Sequence, residues 1–127
     1  MKPIVIIATA LMILPWIPGK EIHYTAPKGE RVEATVTAYT SSVDETDEDP
    51  WTTASGTTAG PGTIACPSKW PFGTRVEIEG KMYVCEDRMH ARYRDKEVYD
   101  VWLPTKTAAR EWGRRQLAIL IHKNASN

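Results

Sequence analysis

From Arg31 onward the apolar residues of this chain recur at every second position, in short runs broken by Gly, Pro, Ser and Thr. A period of two is the signature of half-buried strands, with one face packed and the other wet. The run RVEATVTAY (Arg31–Tyr39) puts Val32, Ala34, Val36 and Ala38 on one face. TIAC is a short strand entering Pro67, and GTRVEIEGKMYVCED reads as a hairpin whose Val76/Ile78 and Met82/Val84 flank Gly80. EVYDVWL is a further strand, and QLAILI closes the series with Leu117, Ile119 and Ile121 on one side. Only LPTKTAAREWGRR departs from the pattern. It predicts a two-turn helix with Thr105 as N-cap, Gly113 ending it, and Trp112 turned to the core. With so many short strands and so little helix, a closed barrel handles the edge-strand problem better than an open sheet.

The rest of the chain bounds what such a domain can do. Its 127 residues hold one core, and the formal net charge is +0, so no overall field points to nucleic acid. Residues 1–18 read as a signal peptide or membrane anchor. Lys2 precedes an uninterrupted apolar or small stretch, Ile4–Leu14, closed by Pro15 and Pro18. That stretch fits a secretory core better than a full membrane span, which needs about 20 residues. Residues 19–30 read as a linker, leaving 31–122 as the folded domain. Cys66 and Cys85 are the only cysteines, and an even pair in a small exported domain reads as a disulfide, the alternative being two buried free thiols.

Within the domain the acids stand out. Asp87 ends one strand-like run and Asp100 lies inside the next, where a carboxylate is disfavoured unless paired or used. The bland account pairs Asp87 with Arg88, Arg92 or Arg94 and makes Asp100 incidental. The acidic DETDED segment (Asp44–Asp49) lacks the glycine and glutamate of an EF-hand loop, and reads as a solvated loop. His23, His90 and His122 show no metal-ligand spacing and read as surface residues. Neither a metal nor an organic cofactor is implied. Trp51, Trp70, Tyr93 and Trp102 are candidates for stacking on sugar faces or for the core. The basic stretch RMHARYR reads as a solvated loop before it reads as a binding surface.

Taken in order, the strand ending TAYT, then TTASGT, GTIAC, PFGTRVEIEGKMYVCED, YDVW and AAREWGRRQLAILI resemble the three-aspartate (3D) domain. The resemblance runs from about Arg31 to Ile121. It implies a mainly β fold, a six-stranded double-psi β-barrel with one short helix near the C-terminus. The relatives it implies are the rare-lipoprotein-A-like proteins, lytic transglycosylase A and expansins. It also implies a substrate, peptidoglycan glycan strands, and an activity, cleavage that leaves a 1,6-anhydro-muramic acid end. Asp100 corresponds to the family's acid/base and Asp87 to the aspartate after the hairpin, with both carboxylates brought to one rim of the barrel. Tyr39 and Thr40 fall near the groove, and with Trp102 are the expected substrate-binding residues. One departure is evident. The family's first aspartate, expected before the hairpin, is replaced in IACPSKWPFGT by the region of Cys66.

The expectation is therefore an exported monomer acting in the periplasm, cell envelope or extracellular space, by membrane association of its N-terminus or free. The alternative is a non-catalytic, expansin-like glycan-binding module. Lytic cleavage needs one carboxyl group that first protonates the leaving oxygen and then removes the proton of the sugar's own C6 hydroxyl.

Overall fold

A computed structural model describes residues 2–4, 19, 29–42 and 49–123. Most of the expected leader, of the linker and of DETDED lies outside the described residues. Among the described residues no helix is long and apolar enough to cross a membrane.

The period-two runs become six strands: β1 (Glu30–Tyr39), β2 (Thr63–Cys66), β3 (Arg75–Ile78), β4 (Lys81–Arg88), β5 (Val98–Trp102) and β6 (Arg115–His122). They close into one barrel in the order β1-β5-β2-β4-β3-β6. The pairs β1/β5 and β2/β4 run parallel and the other four antiparallel. Closure leaves these strands no free edge, as the brevity of the strands led one to expect. The fold is thus mainly β, a closed six-stranded mixed barrel with one short helix near the C-terminus.

Alternation decides what fills the interior. Ala34 and Val36 of β1, Ile64 and Cys66 of β2, Val76 and Ile78 of β3, Tyr99 and Val101 of β5, and Ile119 and Ile121 of β6 all point inward and are buried. On β4 the inward pair is Tyr83 and Cys85 rather than Met82 and Val84. The reason is the turn. Glu79 (φ 50°) and Gly80 (φ 78°) both take positive φ, so β3 and β4 are joined by a two-residue hairpin of the primed type. That turn sets Val76 opposite Tyr83 and Glu77 opposite Met82. Tyr83 therefore shares the core face, and Met82 stands 47% exposed.

The helix α1 (Lys106–Trp112) carries both expected caps. The Thr105 hydroxyl accepts the Ala108 N–H at 3.1 Å, and the Gly113 N–H donates to the Ala109 carbonyl with φ at 65°. Trp112 packs half-buried against the barrel, and its indole N–H donates to the Val36 carbonyl at 3.2 Å. One disulfide, Cys66–Cys85, ties β2 to β4 inside the core.

Candidate active site

On β5 the inward residues are Tyr99 and Val101, so Asp100 faces out. On β2 the inward residues are Ile64 and Cys66, so Ala65 faces out. Strict alternation after the inward Cys85 would turn Asp87 inward as well. It does not, because the β2/β4 register shifts between Ile64 and Ala65: Ile64 pairs with Cys85, but Ala65 pairs with Asp87. This is a β-bulge, with Glu86 as the extra residue, and it re-aims Asp87 to the outer wall. Ala65 is also the cross-strand partner of Asp100, and Asp100 is in turn the partner of Thr37. Thr37, Asp100, Ala65 and Asp87 therefore lie in one row across four strands. The two acids flank a small residue, with Cα atoms two strand spacings apart, on the order of 10 Å. The cystine brackets the bulge, since Cys85 precedes it and Cys66 pairs with Arg88 just beyond it.

Each acid has its own partners. Asp87 Oδ2 accepts the Tyr39 hydroxyl at 2.8 Å. Asp87 Oδ1 accepts the backbone N–H groups of Ala54 (3.1 Å) and Arg88 (2.9 Å). Asp100 Oδ1 accepts the Thr37 hydroxyl at 3.1 Å. Burial, the hydrogen bond to Asp87, and the charges of Asp87 and Asp100 together push the Tyr39 hydroxyl far above the ordinary tyrosine range. Tyr39 therefore remains a donor at any physiological pH, and its ring bridges from β1 towards both carboxylates.

The loop before β2 holds the other side. Asp49 Oδ1 accepts the Trp51 and Thr52 N–H groups, Thr52 bridges to Thr58, and Ala59 N–H reaches the Trp51 carbonyl at 2.8 Å. Glu86, the bulged residue, binds this loop directly: Ser55 Oγ lies 2.5 Å from Glu86 Oε2, and Ser55 N–H donates to the Glu86 carbonyl. The loop 49–60 is thus anchored through Glu86 and Asp87, and its Ala54 N–H becomes part of the site.

An open cleft of about 320 Å³ lies over the Asp100–Ala65–Asp87 part of the row. Tyr39, Ala65, Asp87, Arg88 and Asp100 line it from the sheet, and Met89, His90 and Tyr93 from the segment after β4. That segment, expected as a solvated loop, forms a short 3₁₀ turn (Ala91–Tyr93) capped by His90, whose Nδ1 accepts the Arg92 N–H at 3.2 Å. The Arg88 guanidinium lies over the Phe72 ring at 3.8 Å, and its Nη1 is buried with no hydrogen-bond partner among the described residues. Burial draws its pKa down while the charge of Asp87 opposes this. Asp87 takes the backbone N–H of Arg88, and among the described residues no side-chain ion pair joins it to Arg88, Arg92 or Arg94.

Of the residues expected at the site, Asp87, Asp100 and Tyr39 come together. Thr40 is buried beside them in sequence, with its hydroxyl accepting the Ser42 N–H at 3.3 Å. Trp102, opposite Tyr39 in register, is buried with its indole N–H donating to Ser41 Oγ at 2.8 Å, and it lines a neighbouring hollow. Trp70 packs half-buried on the core and donates to the Tyr99 hydroxyl at 2.7 Å. Thr37, Ala54 and His90 join the site without having been singled out. For Thr37 the only signal was its outward place in the alternation of β1. Among the described residues no three or more His, Cys, Asp or Glu side chains gather so as to hold a metal ion. No protein-family model and no curated protein matches the chain.

Proposed function

We propose that this protein is an exported peptidoglycan lytic transglycosylase of the three-aspartate, double-psi barrel type. The observation that carries the reading is the row Thr37–Asp100–Ala65–Asp87 with an open cleft over its Asp100–Ala65–Asp87 part. A bulge is needed to bring Asp87 to that wall, and bulges recur where a side chain must be re-aimed for function.

In this reading the two acids divide the work. Asp87 accepts three hydrogen bonds, two of them from backbone, and so is fixed in place as an orienting group. Asp100 is the acid/base. Its carboxyl proton passes to the glycosidic oxygen as the bond between muramic acid C1 and that oxygen breaks. The C6 hydroxyl oxygen of the same muramic acid then bonds to C1, and its proton goes to the Asp100 carboxylate. No water is consumed, and the enzyme ends as it began. Tyr39, held protonated, keeps Asp87 turned beside the reacting sugar.

Export is supported by the cystine, which belongs to oxidising compartments. A second reading, a non-catalytic glycan-binding module, draws on the fact that Cys66, in the region where the family has its first aspartate, is in the core and bonded to Cys85. Asp100→Asn decides between them. Release of soluble fragments from purified peptidoglycan by the wild type, lost in the variant, supports the enzyme. Sedimentation of both proteins with the wall, without release by either, supports the binding module.

A further inference from the structure

Trp51 is 55% exposed, an unusual placement for the largest apolar side chain. Its backbone is nonetheless held firmly: its N–H goes to Asp49 Oδ1, its carbonyl takes the Ala59 N–H, and the Thr52–Thr58 bridge follows at once. Its ring lies 6.4 Å from that of Trp102 at an interplanar angle of 51°. Trp102 is fixed by its own hydrogen bond to Ser41 and backs onto a hollow of about 440 Å³ that includes Met82, Leu103 and Pro104. A solvent-facing indole on a hydrogen-bonded backbone, with a second ring beside it, offers an apolar surface for contact.

The position of this pair says what it would contact. Trp51 stands three residues before Ala54, whose N–H binds Asp87, and Trp102 stands two residues after Asp100 on the same strand. Two strand residues span roughly 7 Å, so the aromatic platform begins about where the acid cleft ends. Carboxylates beside it disfavour an anionic partner, whereas a sugar offers hydroxyls to the carboxylates and an apolar ring face to the indole.

We propose that Trp51, braced by Trp102, is a stacking subsite for an N-acetylated sugar next to the cleavage point, so that a glycan chain runs from the Asp100 cleft over the loop 49–60. The proposal rests on the reading of the cleft as a glycan site. It makes Trp51 a binding residue that acts on substrate affinity rather than on the chemical step.

The test uses the full chain with an N-acetylglucosamine hexamer as probe, titrated by intrinsic fluorescence, and peptidoglycan for turnover. The wild type is expected to show a blue shift on binding. Trp51→Ala should bind roughly tenfold more weakly and raise KM with kcat unchanged, while Trp51→Tyr recovers most of the loss. Because Trp51 is exposed, Trp51→Ala should unfold at the wild-type temperature, which separates lost binding from lost fold. Trp51-dependent binding without turnover by the wild type would sustain the subsite and sink the catalytic reading. Turnover with KM and affinity unchanged in Trp51→Ala would overturn the subsite and leave the catalytic reading standing. No binding and no turnover by the wild type would overturn both.

Discussion

Breaking the Cys66–Cys85 bond should cost the barrel stability and disturb the site at the same time. The bond closes a loop between residues 19 apart in sequence. On the chain-entropy model, freeing a loop of that length in the unfolded state costs about 3 kcal/mol. The net stability of a domain is only about 5–15 kcal/mol, so a loss of about 3 kcal/mol is a large fraction of it and leaves the reduced protein folded but much weakened at about 25 °C. For a domain of this size, about 3 kcal/mol corresponds to a fall in Tm of roughly 12–24 °C. The assay is guanidinium unfolding of the oxidised protein and of the protein kept reduced by a phosphine, which leaves both sulfurs in the core. The midpoint should fall, and the slope should steepen somewhat because the reduced unfolded chain is less compact. Since the bridge brackets the bulge at Glu86, turnover should also fall, by more than the small unfolded fraction accounts for. An unchanged midpoint, or full activity in the reduced state, would refute the reasoning that the bridge steadies the bulge.

Tyr39→Phe removes a charge-assisted hydrogen bond to Asp87 and should cost about 1–2 kcal/mol in a cleft open to water. The orienting role of Asp87 further predicts a fall in kcat of roughly tenfold with KM little changed, and an unaltered kcat would remove Tyr39 from the mechanism. Tyr99 lies in the core with its hydroxyl pushed up to about 12, chiefly by burial. Because its folded pKa is raised, the stability this group contributes is complete below the unfolded value of 10.0 and is lost as pH climbs from there towards about 12. Between those two values the slope from Tyr99 approaches about 1.4 kcal/mol per pH unit, and Tyr39 and Tyr83, shifted in the same sense, add to it. Urea midpoints that stay level through this window would contradict the burial of the three hydroxyls, and Tyr99→Phe should flatten the slope.

Much of the barrel was legible in the sequence because a strand's own alternation fixes its faces. Val36, Ile119 and Ile121 are buried as expected, and Thr105 and Gly113 cap the helix through local chemistry that needs no partner. What alternation does not encode is register between strands distant in sequence. The burial of Tyr83 in place of Met82 follows from a two-residue turn whose first position, Glu79, carries no glycine to announce a positive φ. The bulge at Glu86 is likewise silent, since no Gly or Pro marks it. With it went the route by which Asp87 reaches the outer wall and the role of the Ala54 N–H. Asp87, Asp100 and Tyr39 could be named from residue type and order. Thr37 and the Trp51–Trp102 pair required the cross-strand partners to be known.

The central claim, that Asp100 drives cleavage by the sugar's own C6 hydroxyl, is tested most directly by digesting purified peptidoglycan in heavy-oxygen water and weighing the soluble fragments by mass spectrometry. The account predicts 1,6-anhydro ends carrying no label, and no fragments from Asp100→Asn. Labelled reducing ends, or unlabelled anhydro ends still produced by Asp100→Asn, would contradict it.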